Sequence, residues 1–172
     1  ILAIATPGHR ISPDVANQHA TIVYEVANQS GEDPFELVAI AHNESDWRPW
    51  MVSKDGKDCG ITQIRITGSK YSCRELTSNV RLAFEELTRE LQGARQSCAP
   101  LTGDALTKCR LNRFNSGFKK ANCAEGDKKC KDRARFVSRY WLRIACFTRA
   151  AKKGTAGQGC RKTKERDLLA VR

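Results

Sequence analysis

The sequence predicts an α+β chain, predominantly helical, folded as a single domain with a small β or loop wing and stabilised by disulfides. Three observations lead there. Apolar residues recur at helical spacing in successive blocks, and the block between residues 46 and 66 breaks that period. Eight cysteines occur without a single C-x-x-C pair.

Ser12-Pro13-Asp14 reads as a helix start: a cap, a proline in the first turn, and an acid at the positive end of the helix dipole. Val15, Ala16, His19, Ala20, Ile22, Val23, Val26 and Ala27 follow at helical spacing, and Gly31 stops the run. Asp33-Pro34 repeats the signal for a second helix through Phe35, Leu37, Val38, Ile40 and Ala41 to Glu44, which Pro49 prevents from continuing. Residues 46–60 read as a loop with a short hairpin near Asp55-Gly56, and "GITQIRI" (60–66) as a short strand. Thr77 or Ser78 is expected to cap a third helix bearing Val80, Leu82, Ala83, Leu87 and Leu91. A fourth is expected over 103–112, and a fifth through Phe136, Val137, Tyr140, Trp141, Ile144 and Ala145. After Arg149 the chain turns Gly- and Lys-rich, a tail pinned only if Cys160 is bridged.

At 172 residues the chain is long enough for one domain with a real core and short for two. Its net charge of +11 is unevenly spread: residues 1–107 carry 10 basic and 14 acidic side chains, residues 108–172 carry 20 and 5. The basic part suits a polyanion, whether nucleic acid, anionic membrane or bacterial wall. No helix-turn-helix, zinc-finger or RNA-binding signature accompanies the charge, so a nucleic-acid partner is not expected. With only three histidines and no close cysteine pair, neither a zinc site nor a cofactor is expected. The cysteines instead allow up to four disulfides, all at or beyond residue 59, which implies an oxidising compartment: periplasm, cell exterior or virion. The chain begins at Ile1, and "ILAIAT" is too short for a complete signal core, so a processed product is expected. No stretch approaches the length of a transmembrane segment, and the mature protein is expected to be soluble.

Glu44 stands in the last turn of an apolar helix, where the dipole disfavours negative charge. That placement suits an acid meant to hold its proton. The loop beyond it offers Ser53, Asp55, Gly56, Asp58, Gly60 and Gln63, and "RFNSGF" (113–118) offers a polar Asn-Ser-Gly turn flanked by aromatics. Such groups beside an acid suit a polyhydroxylated or amide-bearing ligand. In glycoside cleavage one carboxylic acid protonates the leaving oxygen, and burial against aromatic surface keeps it protonated near neutrality. Trp47 and Trp50 are candidates for that apolar wall, for sugar stacking, or for plain core.

Taken in order, these residues resemble the soluble lytic transglycosylase pattern of the lysozyme superfamily. Glu44, Ser45, Pro49, Val52, Ser53, Gly56, Gly60, Gln63 and Ile64 occupy the places of its Glu-Ser … Pro … Val-Ser … Gly … Gly-Leu-Met-Gln-Ile block. "TSNVRLAFEEL" is similar to the next block, an Asn opening a helix, with Asn79 in that place; "RFNSG" is similar to its Tyr-Asn-Ala-Gly block through Asn115 and Gly117. Phe114 stands where Tyr is usual, and Ala83 where Gly is common. The segment "DGKDCGITQI" also resembles an animal lysozyme stretch, which puts Asp58 at the second carboxylate of those hydrolases.

The resemblance implies a lysozyme-like fold over residues 1–150, a basic extension over 151–172, and cleavage of the β-1,4 bond between N-acetylmuramic acid and N-acetylglucosamine. Glu44 would be the acid and base, with Ser53, Gln63, Phe114 and Asn115 as substrate contacts; Ser53 and Gln63 can equally brace the loop backbone. A muramidase using Asp58 as second carboxylate is the alternative within the enzymes, although Asp58 also reads as a solvated turn residue. A catalytically silent glycan-binding module or structural virion protein is the alternative outside them. The expected partners are peptidoglycan strands and, through the basic C-terminal region, the anionic wall surface.

Overall fold

The computed structural model describes residues 11–116, 141–155 and 160. They are mostly helical, with a small antiparallel sheet. Backbone contacts divide them into two compact units, one of residues 11–88 with 144–155 and 160, the other of residues 89–116 with 141–143.

In the first unit, α1 (Pro13–Ser30) begins as its sequence predicts, with Ser12 Oγ accepting the Val15 N–H at 3.3 Å. It ends at Gly31, whose φ of 70° lets the chain turn out of the helix. Helix α2 (Pro34–Ser45) starts on Asp33, which accepts the Phe35 N–H at 2.9 Å and pairs with Lys152 Nζ at 2.8 Å. Helix α1 is amphipathic; α2 is enclosed on nearly every side, with Leu37, Val38, Ala39, Ile40 and Ala41 all fully buried. The two helices pack on each other, and Trp47, Ile61, Ile64, Leu76, Phe84 and Phe147 complete this core.

The wing is a hairpin with a third short segment. Ser53 N–H donates to Asp58 O at 2.8 Å, Gly56 N–H closes the turn on Ser53 O at 2.9 Å, and Val52 bridges Cys59. The middle strand β1 (Asp58–Cys59) then pairs antiparallel with β2 (Ile64–Arg65), Asp58 opposite Arg65 and Cys59 opposite Ile64. Both the hairpin near Asp55-Gly56 and the strand within residues 60–66 are present, the strand shortened to two residues.

Two expectations about helices change. A short helix, α3 (Cys73–Ser78), precedes the anticipated third one; it opens on a capping box in which Ser72 Oγ accepts the Glu75 N–H and Glu75 Oε2 accepts the Ser72 N–H. Thr77 and Ser78 therefore finish a helix instead of starting one. The cap of α4 (Val80–Ser97) is Asn79, extended at φ −133°, whose Oδ1 accepts the Leu82 N–H at 3.2 Å. The Cys59–Cys73 disulfide clips the wing to α3.

In the second unit, the later part of α4 is joined to α5 (Gly103–Ser116) by Cys98–Cys109. Leu91, Ala94, Leu111 and Leu142 are buried there, and Lys108 Nζ lies 5.6 Å from the centroid of the Trp141 ring. Helix α5 runs past the anticipated end at 112, so Asn115 and Ser116 lie in its last turn and not in a loop.

Backbone over 141–152 is helical, and Thr155 N–H returns to Ala150 O at 2.9 Å. The third disulfide described, Cys146–Cys160, ties residue 160 back to this stretch. Cys123, Cys130, the part of the fifth helix before residue 141 and the extension from 161 lie outside the described residues. Three disulfides suit an oxidising compartment. Among the described residues no helix is long and apolar enough to cross a membrane.

Candidate active site

Glu44 occupies the last turn of α2 and is half-buried, with Asn43 Nδ2 3.4 Å from its Oε1. The chain leaves the helix there through two successive left-handed residues, Asp46 (φ 52°) and Trp47 (φ 63°). A left-handed conformation costs a non-glycine residue about 1–2 kcal/mol, so the surroundings must enforce it. Arg48 enforces part of it: its Nε and N–H both donate to Ser45 O, at 2.8 and 3.2 Å, placing a cation on the negative end of α2. Trp47 is fully buried between His19 and Phe84, ring centroids 6.1 and 6.4 Å away, and so is core. Trp50 is 60% exposed.

Ser45, the residue after Glu44, ties the helix end to the wing. Its buried hydroxyl donates to Ile61 O at 2.6 Å. Thr62, also buried, donates to Ala83 O of α4 at 3.1 Å. Gln63, left-handed at φ 51°, turns both N–H groups of its side-chain amide inward, onto Met51 O (3.0 Å) and Gly60 O (2.9 Å). Residues 61, 62 and 63 are thus anchored to α2, α4 and the Met51 backbone in turn. Gly60 sits at φ 81°, and a Cβ there would stand 2.5 Å from Leu76 O, so only glycine fits.

Ser53 organises the hairpin turn. Its hydroxyl donates to Asp55 Oδ1 at 2.6 Å and accepts from Lys57 N at 3.2 Å and Asp58 N at 2.9 Å, which uses its one donor and both lone pairs. The same hydroxyl, followed by the Lys57 N–H, holds the exposed Asp55 carboxyl below the usual carboxylate range. Asp58 accepts Arg65 Nε and Nη2 at 2.8 Å each, a bidentate pair between residues opposite each other in the sheet. Ser53, Asp58 and Gln63 therefore all serve wing geometry, the bracing alternative for Ser53 and Gln63, and for Asp58 a cross-strand pair in place of a solvated turn. Phe114 is half-buried in α5 of the second unit; Asn115 shares that helix, and its side chain lies outside the described residues.

Sequence reasoning passed over the side chains that fix Glu44's surroundings. Ser45 was visible only as half of a Glu-Ser pair, and Thr62 and Arg65 carried no signal beyond their residue type. Among the described residues no three His, Cys, Asp or Glu side chains converge as metal ligands would. No protein-family model matches the chain, and no curated protein or solved structure matches it.

Proposed function

We propose that this chain cleaves peptidoglycan glycan strands as a lytic transglycosylase of the lysozyme superfamily, with Glu44 as its single acid and base. The observation that carries the reading is the mounting of Glu44: a half-buried carboxyl on the last turn of an enclosed helix whose middle, Leu37 to Ala41, is fully buried, one residue from the tie that fixes the wing. Two left-handed non-glycine residues, Asp46 and Trp47, lie within three positions of Glu44, and such strain persists where geometry matters to function. The ordered blocks around Glu44, Asn79 and Asn115 supply the family and the substrate class.

In this mechanism the Glu44 carboxylic acid gives its proton to the glycosidic oxygen as the bond to the muramoyl C1 breaks. The carboxylate then takes the proton of the muramoyl 6-hydroxyl as that oxygen bonds C1. A 1,6-anhydro ring forms, no water is consumed, and Glu44 ends as it began. Asp58 is held on both oxygens by Arg65, which supports a mechanism without a second carboxylate. Attraction of the basic C-terminal region to the anionic wall in a periplasmic, secreted or virion-borne setting belongs to the proposal.

The test is product analysis on purified sacculi. Mass spectrometry should find anhydro-muramoyl ends; reducing ends would replace this reading with the muramidase. Glu44→Gln should lose at least about a thousandfold in rate while circular dichroism stays unchanged, as expected for removal of the sole proton donor. Asp58→Asn should keep most of the activity.

A further inference from the structure

We propose that Trp50 is a glycan-stacking platform, an exposed indole on a backbone turn held at both ends, against which one pyranose ring of the strand lies as Glu44 engages the bond. The inference rests on the functional reading above and adds a substrate-binding residue to it.

The first support is the mounting. Met51 N–H bonds back to Arg48 O at 3.2 Å, which makes 48–51 a tight turn with Pro49 in its second place and Trp50 in its third. One end of that turn is fixed to α2 through the two Arg48 bonds to Ser45 O. The other end is fixed to the wing, because Met51 O accepts both the Gly60 N–H at 2.9 Å and Gln63 Nε2 at 3.0 Å. A loop with both ends held keeps the backbone of its corner residue in one place, so that backbone needs no ordering on binding.

The second support is exposure where the fold gains nothing from it. Trp47, three residues earlier, is fully buried, whereas Trp50 is 60% exposed and Val52 beyond it 44%. Met51 between them and Ser53 after them are more enclosed. Two side chains make an apolar strip far smaller than the roughly 800 Å² per partner of a stable protein interface. An indole face does match the C–H face of a pyranose ring.

The test separates binding from turnover by using Glu44→Gln, which cannot consume its ligand. Co-sedimentation with purified sacculi and titration with a chitin hexasaccharide give the affinities. Glu44→Gln/Trp50→Ala should bind about tenfold more weakly than Glu44→Gln, and Glu44→Gln/Trp50→Phe should recover most of the loss. On the active protein, Trp50→Ala should raise KM by a similar factor with a much smaller change in kcat. Equal binding with and without Trp50 overturns this inference and leaves the functional reading standing. Failure of Glu44→Gln to bind sacculi at all overturns the functional reading itself. A blue shift of tryptophan emission on anionic phosphatidylglycerol vesicles, lost in Trp50→Ala and absent with the hexasaccharide, would assign the side chain to a lipid surface and overturn the proposal.

Discussion

The helix that carries Glu44 and the wing beside it are held in opposite ways. Helix α2 is immersed in apolar side chains, five consecutive residues without exposed surface. Its position is set by many small, non-directional contacts that degrade gradually. The wing has few buried apolar side chains, chiefly Cys59, Ile61 and Ile64. It is placed instead by single directed bonds: Ser45 to Ile61 O, Thr62 to Ala83 O, Gln63 to Met51 O and the Cys59–Cys73 bridge. The acid is thus carried by the robust part and the groups around it by the brittle part. Substitutions in the wing should accordingly act locally, and the contrast can be measured.

The largest effect is expected of Gly60→Ala, which places a methyl against Leu76 O and strains a residue at φ 81°. The two penalties together come to about 2–5 kcal/mol. Hydrogen exchange should speed up at the wing amides well before those of α2. Equal loss in both would show that wing and helix are one cooperative unit and break the contrast. Next comes the double change Cys59→Ser/Cys73→Ser. The bridge closes a loop of 14 residues and its removal should cost about 3 kcal/mol in urea denaturation.

Ser45→Ala leaves the buried Ile61 carbonyl without its 2.6 Å donor. It should cost about 1–3 kcal/mol, and under the proposed function sacculus digestion should slow with it although no substrate contact is removed. The smallest effect belongs to the helix side. Burial lowers the pKa of His19 below its ordinary 6.5, so the folded protein keeps the ring neutral where the unfolded chain takes up a proton. Stability should therefore fall as pH drops through about 6.5 and level off below the folded value. Urea midpoints measured from about pH 7.5 to 5 should show a shallower slope in His19→Gln.

Much of the helix side was legible in the sequence because its signals are local. Ser12-Pro13-Asp14 with Gly31, and Asp33-Pro34, fix the two helices through residues that touch their own neighbours. The hairpin near Asp55-Gly56 was legible for the same reason. Helix α3 was legible in principle, since Ser72 and Glu75 stand at capping-box spacing, but the stronger apolar period beginning at Val80 masked it. The long reading of α5 was missed because Asn-Ser-Gly is turn chemistry in isolation, and helix propagation through Arg113 and Phe114 overrides it up to Ser116. The polar ties were not legible at all. Ser45 meets Ile61 sixteen residues on, Thr62 meets Ala83 twenty-one on, and the Asp58–Arg65 pair exists only because the sheet register sets those two opposite. Nothing in a local window specifies such partners.

The three described bridges share a property with a bearing on how the chain matures. Each links a cysteine to the one that follows it along the backbone, at separations of 14, 11 and 14 residues. Small rings are entropically the easiest to close, so the native choice is also the statistically nearest one. A polypeptide threaded through an export channel amino end first would bring Cys73 to Cys59, and then Cys109 to Cys98, before any later cysteine emerged. A simple oxidase, without a shuffling enzyme, would then suffice to lock these two links.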